Sequence, residues 1–131
     1  MTSLVPTEAE EARMLMQYMK LRHLKFTHIK NETGKPIRGQ RVRNWRAVWG
    51  AMDGVSPGFP DFLVIVNDTM IAIELKRVKN SSVSNYQKEW IEALGAAGIP
   101  ARICRGAEEA ISFINEYLPK TKTLPDSGEA F

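Results

Sequence analysis

Residues 60–76, PDFLVIVNDTMIAIELK, constrain the fold most strongly, because two apolar runs rich in β-branched residues flank a short polar turn. The runs predict strands near 62–66 and 70–76. If Asn67 and Asp68 form a two-residue turn, the strands pair as an antiparallel hairpin.

Three charged residues stand at one end of this hairpin. Glu74 and Lys76 share one face of their strand, because strand side chains alternate, and the opposite face is apolar. A two-residue turn places Asp61 directly across from Glu74, with Cβ atoms about 5 Å apart. A three-residue turn would shift this pairing by one position.

Two facing carboxylates repel each other and need a positive charge between them. Mg²⁺ suits the position, because it binds one or two carboxylates together with water and phosphate oxygens. Lys76 would orient an attacking water, help to deprotonate it, or stabilise charge on a phosphate. Taken alone, Glu74 and Lys76 also fit an ordinary solvated strand face.

The pattern along the 131 residues predicts one α/β domain, a mixed sheet flanked by helices. Helices are predicted at 7–24, 40–52, about 86–94 and 107–118, and strands at 26–30, 62–66, 70–76 and 101–105. The last strand follows a helix, so we expect it to pair parallel with the hairpin through a right-handed crossover. Residues 1–118 form the expected domain, and 119–131 a flexible tail.

Positive charge is concentrated in one segment. Residues 33–52 contain no acid and five basic residues: Lys35, Arg38, Arg41, Arg43 and Arg46. The formal net charge is +3, so the remainder of the chain is mildly acidic. With Trp45 and Trp49 in the same segment, the pattern favours a surface that follows a nucleic-acid backbone. A solvated charged loop is the open alternative, and the tryptophans would either stack on bases or pack on the sheet edge.

Membrane insertion and export are not indicated, because the sequence lacks an 18-residue apolar stretch and a signal peptide, so we expect a cytoplasmic protein. The single cysteine, Cys104, is predicted to be a buried structural thiol. His23 and His28 have no partners at metal-ligand spacing and are interpreted as packing or surface residues. Gly58 and Pro60, just before Asp61, are expected to let the backbone and nucleic acid approach each other closely.

Three segments, GVSPGFPDFLVIV, IAIELK and SNYQKEWIEALGAAGI, together resemble the VRR-Nuc domain of stand-alone phage and bacterial nucleases, within the PD-(D/E)xK nuclease superfamily. The resemblance covers about residues 7–114. It implies a restriction-endonuclease-like fold, Mg²⁺ or Mn²⁺ as cofactor, and hydrolysis of phosphodiester bonds in DNA, often branched DNA such as Holliday junctions.

The resemblance also implies roles for individual residues. Asp61, Glu74 and Leu75 would hold the metal, Lys76 would be the catalytic lysine, and Gln87 would contact the site or the substrate.

The family pattern includes a glutamate on the first helix. Glu8 fits it best, Glu11 is the second candidate, and Glu10 points away. The pair at 31–32, Asn-Glu, matches a further family feature whose role stays open.

These inferences predict a metal-dependent DNA endonuclease, with the basic segment holding the DNA backbone. A homodimer is expected, because two copies related by a two-fold axis suit a symmetric junction. The alternatives are a non-catalytic DNA-binding module of the same fold and a restriction-type enzyme that cuts plain duplex.

Overall fold

The computed structural model describes residues 4–29, 54 and 56–119. Within these ranges the elements follow the order α1 (Glu8–Leu21), β1 (Lys25–His28), β2 (Phe62–Val66), β3 (Thr69–Lys76), α2 (Asn85–Ala96), β4 (Ala101–Arg105) and α3 (Ala107–Asn115). The prediction of a mixed sheet flanked by helices is confirmed.

The four strands form one sheet in the order β1-β2-β3-β4. β2 pairs antiparallel with β1 and with β3, whereas β3 and β4 are parallel, as the crossover predicted. The hairpin register runs from Phe62 opposite Ile73 to Val66 opposite Thr69. The two-residue turn is therefore confirmed, and Asn67 adopts a φ of 59°, which asparagine tolerates better than most residues.

The core lies on one face of the sheet. The apolar residues of β2 and β3 on this face are almost fully buried: Phe62, Val64, Val66, Ile71, Ile73 and Leu75. α1 covers them with Leu15 and Met19, and α3 covers them with Phe113 and Ile114. Since β3 alternates, its charged residues Glu74 and Lys76 are directed to the opposite face, where α2 begins.

Helix ends differ from the sequence prediction. α1 stops at Leu21 rather than near 24, and His23 is exposed with a φ of 59°, so it does not extend the buried stripe of the helix. α2 passes through Gly95 and ends at Ala96, and Gly98 follows with a φ of 90°. Tertiary packing and local turn geometry set these ends, which helical periodicity alone does not specify.

Two large side chains of α2 lie outside the main core. Tyr86 is exposed, and Trp90 is half-buried with its ring edge-to-face against Phe59, so neither belongs to the main core. Cys104, in contrast, is fully buried as predicted, and burial raises the pKa of its thiol to about 12. A thiol with this pKa is inert at neutral pH.

Several predictions concern residues outside the described ranges. These are the loop at 31–39 with the Asn-Glu pair, the helix at 40–52 with the basic residues and two tryptophans, and the tail beyond residue 119. No helix in the part of the chain that the structure describes is long and apolar enough to cross a membrane.

Candidate metal-binding and active site

Asp61 lies immediately before β2, and its side chain reaches across to β3. Its Oδ2 accepts a hydrogen bond of 2.9 Å from the backbone N–H of Leu75, and its own carbonyl accepts one from Ile29. The carboxylate of Asp61 is thus fixed near the C-terminal end of β3, beside Glu74. Leu75 supplies this N–H while its side chain is in the core, so the predicted role of Leu75 at the metal would fall to its backbone.

Glu74 carries the second carboxylate, and the residue is only 3% exposed. Its Oε2 accepts a hydrogen bond of 3.0 Å from Nε2 of Gln87 and lies 3.7 Å from Nζ of Lys76. Its Oε1 is buried and has no hydrogen-bond partner among the described residues. Since buried polar atoms normally have a partner, this oxygen needs a proton or a cation.

The pKa shifts of Asp61 and Glu74 agree with this need for a proton or a cation. Burial, then the negative charge of Asp61, raises the pKa of Glu74 to about 8, although Lys76 opposes the effect. Burial also raises the pKa of Asp61, while the hydrogen bond from Leu75 acts in the other direction. The ionised form of Glu74 is therefore disfavoured at neutral pH unless a further positive charge compensates it.

A divalent cation fits this donor set. Two carboxylates converge, and one buried oxygen lacks a partner, which is what a hard cation with additional water and phosphate ligands requires. In residues 4–29, 54 and 56–119, no group of three or more histidine, cysteine, aspartate or glutamate side chains is placed to hold a metal by itself. The donor set is therefore the open, two-carboxylate type that Mg²⁺ commonly uses.

Lys76 occupies the last position of β3, on the same face as Glu74. Its side chain is 13% exposed, and its ammonium group is held against the Glu74 carboxylate. This places a positive charge at the solvent side of the buried pair, where a phosphate could bind.

Gln87 joins the site from α2. Its amide nitrogen donates to Glu74, and its amide oxygen accepts a hydrogen bond of 2.9 Å from the backbone N–H of Ser84. Ser84 is the N-cap of the helix, and its Oγ accepts from the backbone N–H of Gln87 at 3.1 Å. The structure thus brings Gln87 to the carboxylates, and it adds Ser84, which the sequence analysis did not single out.

The acids of α1 separate into different positions. Glu8 is exposed at the start of the helix, and its negative charge adds to burial in raising the pKa values of both Asp61 and Glu74. Glu11 is buried, and its Oε1 accepts a hydrogen bond of 2.8 Å from the N–H of Ala107, at the start of α3. Glu10 forms a capping box with Thr7 and is directed away from the site, as expected.

Arg77 holds the start of α1 beside the end of β3. Its Nε donates to the carbonyl of Pro6 at 3.1 Å, and one Nη donates to the carbonyl of Val5. Glu8 lies two residues after Pro6, so this contact attaches the start of the helix that carries Glu8 to the end of β3. An arginine next to a charged strand end carries no sequence signal for such a role.

Gly58 makes a close contact with the backbone of α2. It has a φ of 89°, and a Cβ there would lie 2.5 Å from the carbonyl carbon of Tyr86 and 2.7 Å from the nitrogen of Gln87. The missing side chain therefore allows the loop before Asp61 to pack on the first turn of α2, and the approach of nucleic acid at this position stays a prediction. His28 packs as predicted, with its ring stacked on Phe62 at 4.4 Å.

A mixed sheet that presents two carboxylates and a lysine at the end of its central hairpin defines a nuclease-type α/β domain. A family model described as the VRR-NUC domain matches residues 6–108. The chain belongs to the VRR-NUC domain family, which is a family of nuclease domains.

Two solved structures resemble the chain over most of its length. One, titled "VRR_NUC domain protein", is 25% identical with a TM-score of 0.59, and the match covers 89% of this chain and 90% of that chain. The other, titled "VRR_NUC domain", is 14% identical with a TM-score of 0.56 and covers 86% and 99%. A comparison with curated proteins found no relative.

Proposed function

We propose that the protein is a DNA endonuclease that hydrolyses phosphodiester bonds with Mg²⁺ or Mn²⁺. The buried carboxylate pair of Asp61 and Glu74, with an oxygen of Glu74 that has no partner among the described residues, is the observation that carries the proposal. A cation held by this pair would polarise a phosphoryl oxygen and lower the pKa of the attacking water.

The protein's own groups have distinct tasks in this reaction. The N–H of Leu75 orients Asp61, and the amide of Gln87 orients Glu74. Lys76 orients the water or stabilises the charge that develops on the phosphate. The water oxygen bonds to phosphorus, the bond from phosphorus to the leaving oxygen breaks, the water proton passes to solvent, and the leaving oxygen takes up a proton.

The substrate class that we propose is branched DNA such as a Holliday junction, in keeping with the family resemblance of the hairpin and of α2. The basic residues at 35–46 would bind the DNA backbone through phosphate contacts. Two copies related by a two-fold axis would place two sites on the two strands of a symmetric junction. Light scattering in solution is then expected to give about twice the chain mass of 14.8 kDa, and a monomer at assay concentration, with or without junction DNA, would contradict the dimer.

The deciding experiment measures cleavage of labelled junction, flap and duplex DNA with Mg²⁺, Mn²⁺ or EDTA. The wild type is expected to cut junctions only with metal, and Lys76→Ala is expected to bind DNA normally while losing at least about 100-fold in rate. Lys79→Ala is the matched control, because Lys79 is an exposed lysine in the loop after β3.

Two other outcomes would identify the alternatives. DNA binding without cleavage by the wild type in either metal would indicate a non-catalytic module and refute the enzyme. Cleavage at a fixed sequence in plain duplex, with no preference for junctions, would indicate a restriction-type enzyme.

A further inference from the structure

The side-chain amide of Gln87 is hydrogen-bonded at both ends. Its oxygen accepts from the backbone N–H of Ser84 at 2.9 Å, and its nitrogen donates to Oε2 of Glu74 at 3.0 Å. The Ser84 N–H can only donate, and an ionised Glu74 can only accept. Rotating the amide by 180° would face donor to donor and acceptor to acceptor, so both ends select the same orientation.

The other capping box of the chain shows why the residue type matters. At the start of α1, Glu10 accepts a hydrogen bond of 2.7 Å from the N–H of Thr7, in the same geometry that Gln87 uses with Ser84. A glutamate is therefore sufficient to cap a helix in this protein. Of the two residue types at this position in the capping boxes, an ionised glutamate can only accept, whereas glutamine can accept from the helix start and also donate to the Glu74 carboxylate.

The first turn of α2 is also fixed from the other side. The backbone at Gly58, in the loop that leads to Asp61, lies so close to Tyr86 and Gln87 that a Cβ would overlap their backbone. The turn therefore contacts the chain segments that carry both carboxylates, and its position sets where the amide of Gln87 lies.

We propose that Ser84 is a positioning residue, whose backbone N–H locks the amide of Gln87 so that Glu74 is held ready to bind the cation. The inference rests on the proposed metal site. By linkage, the cation should in turn stabilise the first turn of α2, because it would bind the same carboxylate that the amide of Gln87 contacts.

The test compares two substitutions that both remove the hydroxyl cap. Ser84→Ala keeps the N–H, whereas Ser84→Pro removes it, and the φ of −76° at Ser84 is one that proline adopts. We expect Ser84→Pro to bind Mn²⁺ at least about tenfold more weakly than Ser84→Ala by calorimetry, the effect typical of residues that orient metal ligands. Ser84→Thr should match the wild type, and Thr7→Ala, which removes the hydroxyl cap of α1, should leave the affinity unchanged.

A second variant separates positioning from folding. Gln87→Leu keeps Ser84 but removes the amide, so we expect it to weaken Mn²⁺ binding as much as Ser84→Pro. The double variant should be no weaker than Gln87→Leu alone, because Ser84 acts only through Gln87. In NMR spectra without metal, faster exchange of the Ser84 N–H in Gln87→Leu would report the same contact, even if Ser84→Pro failed to fold.

Activity gives a further readout. Ser84→Pro should need more Mg²⁺ for half-maximal cleavage but reach the maximal rate of Ser84→Ala at saturation. Equal Mn²⁺ affinity in the alanine and proline variants, or additive effects in the double variant, would overturn the positioning role. A wild type that binds no Mn²⁺ would instead refute the metal site, while the NMR exchange of Ser84 would still report the lock.

Discussion

At the scale of single residues, the carboxyl group of Glu74 lies in an environment that disfavours its ionised form. It is buried, it faces Asp61, and its compensating contacts are one amide and one ammonium group. A group of this kind is stable in the protein when it is protonated or when a cation replaces the proton. Stability and pH are therefore coupled through one side chain, and the proposed metal site would couple cation binding to both.

The coupling has a defined sign. The pKa of Glu74 is raised from 4.5 to about 8, so the native protein binds more protons than the unfolded chain between these values. We expect the free energy of unfolding of the metal-free protein to fall as the pH rises through this window, by at most about 1.4 kcal/mol per pH unit for one such group. The raised pKa of Asp61 acts in the same direction.

Urea unfolding with EDTA at several pH values measures this slope. Glu74→Gln should flatten it, and Glu108→Gln, at an exposed carboxylate on α3, should not. Saturating Mg²⁺ should also flatten it by stabilising the ionised pair. A metal-free wild type that becomes more stable between pH 5 and 8 would contradict the assigned environment of Glu74.

Gly58 allows a second test at this scale, because Gly98 is a natural control. Both have a φ near 90°, but a Cβ at Gly58 meets backbone at 2.5 Å, whereas a Cβ at Gly98 meets nothing within 4 Å. Gly98→Ala should therefore show only the conformational cost of about 1–2 kcal/mol, and Gly58→Ala that cost plus about 1–3 kcal/mol for the overlap. Equal losses in thermal or urea unfolding would show that the loop before Asp61 can move away from α2 freely.

At the scale of elements, α1 carries residues that act at two different places, the carboxylate site and the start of α3. The charge of Glu8 acts on the carboxylates, while Glu11, one turn later, caps α3 through Ala107. Gly106, the N-cap of α3, offers no side chain for this purpose, so the cap comes from another helix. The two glutamates that the family pattern left as alternatives therefore lie in different environments.

Substituting each glutamate separates these roles. Glu11→Ala leaves a buried N–H without a partner and should cost about 1–3 kcal/mol in urea unfolding, whereas Glu11→Gln keeps an acceptor and should cost less. Glu8→Ala should leave stability within about 0.5 kcal/mol and should change Mn²⁺ affinity instead. A Glu11→Gln variant that folds normally but binds no Mn²⁺ would reverse the assignment.

The elements also show what the sequence could and could not predict. The hairpin register followed from strand alternation and from a turn of two residues, both of which are local, and the observed pairing agrees. The cap of α3 by Glu11 depends on a contact between residues 96 positions apart, which no local pattern encodes. The Ser84 cap is different, because Ser-x-x-Gln before a helix is a recognisable capping box and the sequence did contain that signal.

At the scale of the whole molecule, charge is divided between the two parts of the chain. The carboxylate site lies in a mildly acidic domain, whereas the five basic residues at 35–46 carry positive charge well above the net +3 of the chain. Long-range attraction to DNA would therefore depend on the basic segment, and chemistry on the hairpin.

Salt dependence of DNA binding tests this division. Replacing Arg41, Arg43 and Arg46 by glutamine should make the slope of log K for DNA binding against log salt concentration less negative by about 3. Each phosphate contact contributes about −0.9 to this slope for duplex DNA. Mn²⁺ affinity should not change, because the carboxylate pair lies in other segments. An unchanged salt slope would show that the segment is a solvated loop, which is the alternative reading of its composition.

The hairpin has one more consequence, for the order of folding. Asp61, Glu74 and Lys76 come from a single stretch of 16 residues whose pairing closes a two-residue turn. Contacts this local form early, on the microsecond timescale of hairpins, whereas Glu8 and Gln87 arrive only when the helices dock. We therefore expect the two carboxylates to come together before most of the core has formed. A cation present during refolding should therefore increase the folding rate constant, and not only decrease the unfolding rate constant, in a chevron plot.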